Sequence, residues 1–159
     1  MSTEVTAKDL MTTRLLTVRP DMRPSEAARL LVKKNVGGAP VVDDEGRYLG
    51  VFSEETSMVA LVDAVHDQIP TIPTVRAYLD TDTPTITEDT GFLSIAQLFL
   101  ERSIHRLPVL RDGRLVGQIS RRDLIRSILK ALEPIPSREA QLLYLSALRS
   151  MDDDPLDKT

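Results

Sequence analysis

Ser120 and Asp123 stand three residues apart in Gly117-Gln-Ile-Ser120-Arg-Arg-Asp123, where a β-rich run feeds a helix. A helix start offers backbone N–H groups and the positive dipole end, which favour an anion. Ser120 can donate to a phosphate or ribose oxygen. An ionised Asp123 can accept from two neighbouring ribose hydroxyls. The same two side chains also make a good N-cap pair for the helix they open, and the local sequence leaves both roles open. Arg121 and Arg122 lie between them, with Arg126 four residues beyond Arg122 on the same helix face. They suit either phosphate pairing or an ordinary wet face. His105 and Arg106 open the preceding strand. Arg106 could pair with a phosphate and His105 could add a pH-sensitive contact; a solvated strand edge accounts for both equally.

The motif occurs twice. Gly50-Val-Phe-Ser53-Glu-Glu-Thr56 matches it 67 residues earlier. Upstream, Thr17, Asp21, Ala28, Leu30 and Pro40 align with Thr85, Asp89, Ala96, Leu98 and Pro108 at an offset of 68. The residue lost falls in a turn, where Asp43-Asp-Glu-Gly46-Arg47 shortens to Arg111-Asp-Gly113-Arg114. Repetition defines the unit of folding, and two copies point to a closed pseudo-symmetric pair with a cleft between or beside them.

Each copy reads as β-α-β-β-α. Leu15–Val18 and Thr85–Thr87 are short β-rich runs. Pro24 and Glu26 suit the first turn of one helix, and Thr90 is the expected N-cap of the other. Ala39–Val42 with Arg47–Phe52, and Leu107–Leu110 with Leu115–Ile119, read as hairpins around Asp44-Glu-Gly46 and Asp112-Gly113. Second helices start near Glu54 and Arg121. Pro70 and Pro73 mark the linker between copies. Beyond Glu133, Ser137 is a candidate N-cap for a helix over 138–150, whose Leu142, Leu143, Leu145 and Leu148 are expected to be packed. The acidic tail from Met151 is expected to be disordered. The expected divisions are 1–68, 69–132 and 133–159: first repeat, linker with second repeat, and helical extension.

Apolar residues make up 42% and charged residues 28% of the 159, as in a globular protein. The net charge of −4 gives no global field for nucleic acid or an anionic membrane. No stretch approaches the roughly 18 apolar residues of a membrane span. Without a signal-like start, the expected compartment is the cytoplasm. Cysteine is absent, which excludes disulfides and thiolate chemistry. His66 and His105, the only histidines, share no metal-ligand spacing. No P-loop, nucleophile elbow or Rossmann fingerprint appears, so a catalytic role is not expected.

The doubled unit, each copy ending in Gly-x-hydrophobic-Ser, with the hydrophobic-Pro-Val strands and Asp9-Leu-Met11-Thr12 ahead of the first, resembles a tandem pair of CBS (cystathionine β-synthase) domains over roughly residues 5 to 132. The resemblance implies an α/β (α+β) regulatory pair, often a homodimer, with clefts for AMP, ADP, ATP or S-adenosylmethionine, whose occupancy is passed to a regulated partner protein. It implies a phosphate role for Ser120 and a ribose role for Asp123, and an adenine edge at Thr85, Ile86, Leu107 and Pro108. In the first copy the equivalent site comprises Thr17, Val18, Gly38, Ala39, Ser53 and Thr56. There Thr56 replaces the ribose carboxylate, and Glu54 and Glu55 bring negative charge, so this site is expected to be degraded. Gly37 and Gly38 either admit a ring close to the backbone or form a simple loop. The alternative to a sensor is a ligand-free scaffold acting through its helical faces.

Overall fold

In chain order the first repeat contributes α1 (Ala7–Leu10), α2 (Pro24–Lys34), β1 (Gly38–Val42), β2 (Tyr48–Ser53) and α3 (Glu54–His66). A 3-10 turn, Val75–Tyr78, leads into β3 (Ile86–Thr87), α4 (Phe92–Glu101), β4 (Arg106–Arg111), β5 (Arg114–Ser120) and α5 (Arg121–Leu132), and α6 (Arg138–Asp152) follows. This computed structural model describes residues 4–66, 73–133 and 138–152. The chain falls into two compact units, Met1–Ile125 and Arg126–Thr159.

Local chemistry explains most boundaries. Pro24 is pre-set for the start of α2, and Asn35, at φ 52°, closes it in the left-handed conformation. Asp112 and Gly113, at φ 51° and 78°, form the two positive-φ centres of the β4–β5 turn, a conformation that matches strand twist. The longer first turn is tied by Asp43, whose carboxylate accepts from the Glu45 and Arg47 N–H groups, both at 2.9 Å. Thr90 does not cap α4. Its hydroxyl accepts the Thr87 N–H at 3.1 Å, and Gly91 takes the N-cap position. Leu15–Val18 does not form a strand either. Val18 alone bridges β1, through Val18 N–H to the Pro40 carbonyl at 2.9 Å and Val42 N–H to the Val18 carbonyl at 3.0 Å. That bridge is the reduced counterpart of the parallel β3–β4 pairing, Ile86 opposite Val109.

The repeats exchange their lead-in segments. Thr12 and Gln118 trade backbone hydrogen bonds at 2.9 and 3.0 Å, joining the first lead-in to the second hairpin. Asp80 and Val51 trade the equivalent pair at 2.8 and 2.9 Å, joining the second lead-in to the first hairpin. Ala7 N–H donates to the Thr90 carbonyl, and Val75 N–H, 68 residues on, donates to that of Met22. The hairpin tips also meet: Tyr48 N–H donates to the Gly113 carbonyl, and Leu115 N–H to that of Gly46. Each bond thus has a partner at an offset of 67 or 68, the mark of a pseudo-two-fold pair. The first core holds Val18, Ala27, Leu31, Val41 and Phe52, closed by Val75 from the other repeat's lead-in. Ile95, Leu107, Val109 and Ile119 are equally buried in the second, and Ala7 is buried like Val75.

Within the second unit α6 is helical, but Leu142, Leu143, Leu145 and Leu148 are 41–72% exposed. The expected packing of these leucines is not seen in the single chain. The Ser137 cap, linker residues 69–72 and tail residues 153–159 lie outside the described residues.

Candidate functional site

Both helix starts are closed by reciprocal caps. In the second copy Ser120 N–H donates to Asp123 Oδ2 and Asp123 N–H to Ser120 Oγ, each at 3.1 Å. In the first, Ser53 N–H donates to Thr56 Oγ1 at 2.9 Å and Thr56 N–H to Ser53 Oγ at 3.1 Å. Arg121 N–H donates to the His105 carbonyl at 3.1 Å, and Glu54 N–H to that of Gly37 at 3.0 Å. The backbone donors expected to be available to an anion at Ser120, Arg121 and Asp123 therefore have partners inside the chain. The cause is the capping chemistry of Ser-x-x-Asp together with the loop that precedes each first hairpin strand.

A cleft of about 940 Å³ opens beside the first copy of this motif. Gly37, Gly38, Val51 and Ser53 line it from the first hairpin, and Glu54, Glu55, Met58, Val59, Val62 and Asp63 from α3. The swapped lead-in adds Asp80 and Thr83, and the second repeat adds Ser103, Ile104, His105 and Arg106. The structure gathers His105 and Arg106 with first-repeat residues at this cleft, while Arg106 also pairs with Ser120 across β4–β5 and His105 stays beside Arg121. The Arg106 guanidinium donates to the Gly38 carbonyl. Its Nη2 and Glu54 Oε1 both crowd Gly37, lying 3.7 and 3.3 Å from where a Cβ there would sit. Burial pulls the Arg106 guanidinium below its ordinary range, and the Glu54 carboxylate opposes that pull. Arg106 is half-buried and tethered, not a solvated strand edge. His105 contacts the Arg121 guanidinium through Nδ1.

The remaining candidates divide by burial. Val18, Ala39, Ile86, Leu107 and Pro108 are buried, so their side chains serve the cores and a ligand would meet them only through backbone. Thr17 and Thr85 are exposed, as are Arg121 and Arg122 at the start of α5. Ser53 and Gly38 line the cleft; Thr56 holds the cap beside it.

Asp80 and Thr83 are cleft residues that the sequence reading did not single out. Asp80 accepts the Asp82 N–H at 2.9 Å and the Thr83 hydroxyl at 3.0 Å, which fixes the loop at the rim. Their signal lies at the same offset: Asp80 stands where Thr12 stands in the other lead-in. Gly50 and Gly117 record the close approach of those lead-ins. A Cβ at Gly50 would lie 2.8 Å from the Asp80 carbonyl, and one at Gly117 2.8 Å from Met11 Cγ. Among the described residues no cluster of three or more His, Asp or Glu side chains could hold a metal ion, and no helix is long and apolar enough to cross a membrane.

The CBS domain model matches residues 7–56 and 75–130, the two repeats with their lead-ins. The chain belongs to the CBS domain family. It is 30% identical over 130 residues to an uncharacterized 17.7 kDa protein of Acidianus ambivalens, covering 81% of this chain and 75% of the relative. It is 29% identical over 119 residues to an uncharacterized protein of Methanocaldococcus jannaschii, where the match spans 75% of this chain but only 41% of that longer protein. The crystal structure of CBSX2 in complex with AMP superposes with a TM-score of 0.71 at 30% identity, over 80% of this chain and 98% of that one. CBSX2 is a CBS-pair protein of Arabidopsis thaliana.

Proposed function

We propose that this CBS pair is a non-catalytic regulatory module that binds an adenosine-containing ligand, AMP, ADP, ATP or S-adenosylmethionine, and passes its occupancy to a partner protein. The likeness to AMP-bound CBSX2 over most of both chains carries the reading. Within it, the phosphorylated ligand belongs to the second repeat, with Asp123 accepting from the ribose, Ser120 donating, and Arg121 and Arg122 facing the phosphate. A carboxylate has about four lone-pair sites, so the cap bond to Ser120 is compatible with a ribose contact. The exposed apolar side chains of α3 and α4, including Leu61, Val65, Leu93 and Leu100, support a homodimer built on helical faces.

Calorimetry with AMP tests the site assignment. Hydrogen bonds to a charged acceptor contribute about 1.5–3 kcal/mol each. Asp123→Asn should therefore bind AMP at least roughly tenfold more weakly, since about 1.4 kcal/mol is one decade. Asn can still accept one bond, and melting temperature measured alongside separates lost contact from lost capping. If Thr56→Ala removes AMP binding while Asp123→Asn retains it, the nucleotide belongs to the first repeat.

A further inference from the structure

Gly38 and Arg106 occupy the same position in the two copies, 68 residues apart. They also touch: the Arg106 guanidinium donates to the Gly38 carbonyl. A residue bonded to its own repeat mate lies at the pseudo-two-fold axis, so this contact joins the repeats at their centre. It runs one way only. Gly38 has no side chain to return it, and the space for one is tight, since a Cβ there would lie 3.3 Å from the Phe52 carbonyl oxygen. Each chain therefore has one such link. It reaches from the second repeat into the first cleft, which Gly37, Gly38 and Arg106 all line.

The link is incompletely satisfied. A guanidinium has five N–H donors, and desolvating a cation is costly unless it is paired. Arg106 is half-buried, and burial pulls its pKa below the ordinary range. Glu54 opposes that pull by its charge, but among the described residues no carboxylate forms an ion pair with Arg106. A neutral carbonyl holds the guanidinium where an anion would hold it more strongly. Its stem leaves β4 opposite Ser120 of β5, and Arg121 and Arg122 follow at the start of α5. An anion seated by those residues would compete with Gly38 for Arg106. We propose that Arg106 is a latch between the repeats. Engaged on Gly38, it fixes the strand-start loop of the first repeat and covers the backbone edge of the first cleft. Drawn toward an anion at the start of α5, it releases that loop and the first cleft opens. Occupancy of one repeat thereby changes the shape of the other, with two arrangements of one side chain as the bistable element. The engaged state stands on the observed contact. Its release rests on the adenosine-sensor reading, with the AMP phosphate as the anion.

Hydrogen exchange on the full chain, alone and with AMP as the probe, tests both halves. The reporter is the Glu54 amide, which donates to the Gly37 carbonyl in the latched loop. The Ala7 amide, bonded to the Thr90 carbonyl, is the control for global stability. Arg106→Met keeps the apolar stem and removes every donor. It should speed exchange at Glu54 at least about tenfold, since a hydrogen bond from a charged donor is worth roughly a decade or more, and leave Ala7 unchanged. Arg106→Lys keeps the charge without the planar fork and should speed Glu54 severalfold; it carries the comparison if the methionine variant does not fold. Saturating AMP should speed Glu54 in the parent toward the variant's rate and have no further effect in Arg106→Met. Unchanged exchange at Glu54 in the variants overturns the latch, as does equal acceleration at Glu54 and Ala7. If calorimetry shows AMP bound while Glu54 in the parent exchanges no faster, the release falls and the sensor reading stands. If AMP does not bind, the sensor reading and the release fall together, and the variants alone decide whether the engaged latch exists.

Discussion

The Tyr48 hydroxyl is buried without a hydrogen-bond partner among the described residues. Burial, with the Asp80 carboxylate adding to it, pushes its pKa up to about 12 from the ordinary 10. The folded state therefore holds the phenolic proton more tightly than the unfolded chain does. The sign follows: this stabilisation is complete below about pH 10 and is lost as pH rises from 10 toward 12. Two pH units correspond to at most about 2.7 kcal/mol. Tyr48→Phe should flatten the alkaline loss of stability over that window. At pH 7 it should be neutral or stabilising, since an unpaired buried hydroxyl costs about 1–3 kcal/mol. Denaturant melts of both proteins at pH 7 and pH 11 check this, and an equal alkaline loss in the two would assign the effect to another group. The Asp43 carboxylate is held below its ordinary range by the Arg47 N–H, but it is exposed and its turn is local, so the effect belongs to hairpin geometry and not to global stability.

At the scale of elements, the exchanged lead-ins hold the repeats together. Each lead-in passes over a glycine of the opposite hairpin. At Gly50 the obstacle is the Asp80 backbone carbonyl, at 2.8 Å from an added Cβ, and backbone cannot rotate away. Gly50→Ala should therefore cost about 1–3 kcal/mol, the usual range for overpacking, and loosen the Asp80–Thr83 rim of the first cleft. Urea melts measure the first effect, and hydrogen exchange at the Val51 and Asp80 amides measures the second. Protection at those amides equal to that of the parent chain would show that the lead-in tolerates the methyl group. The reciprocal caps at Ser120–Asp123 and Ser53–Thr56 show the same economy. In the first repeat Ser53, Glu54 and Glu55 at that helix start also line the cleft.

For the whole molecule, the unusual feature is how much aliphatic surface the single chain leaves in water. Leu61 and Val65 of α3 and Leu93 and Leu100 of α4 are 41–87% exposed. Burying a side chain of this size contributes roughly 1.5–3 kcal/mol, so four in one interface outweigh much of the cost of association. Light scattering at micromolar concentration should return twice the 17.7 kDa chain mass. Leu61→Glu with Val65→Glu should return the monomer. A parent protein that already scatters as a monomer would leave these faces for another partner.

The tandem β-α-β-β-α order was legible because its signals are local: Pro24 at a helix start, Asp112-Gly113 in a turn, alternating strands, and a motif repeated 67 residues on. The Ser120–Asp123 cap was legible for the same reason, as three residues span one helical turn. Family membership followed from the doubling. What the sequence could not specify was which residues from distant segments would meet. Arg106 pairs with Ser120 within its own hairpin, yet its guanidinium donates to Gly38 in the other repeat. Thr90 read as a cap from its neighbours, but Thr87 offered its hydroxyl a donor and Gly91 began the helix. Asp80 became a cleft residue only because its lead-in crosses to the opposite hairpin. Periodicity and capping act over a few residues and are written in order along the chain. The exchange of lead-ins is decided by pairing between segments far apart in sequence, where backbone hydrogen bonds and a buried Val75 or Ala7 carry little sequence signature of the partner they will find.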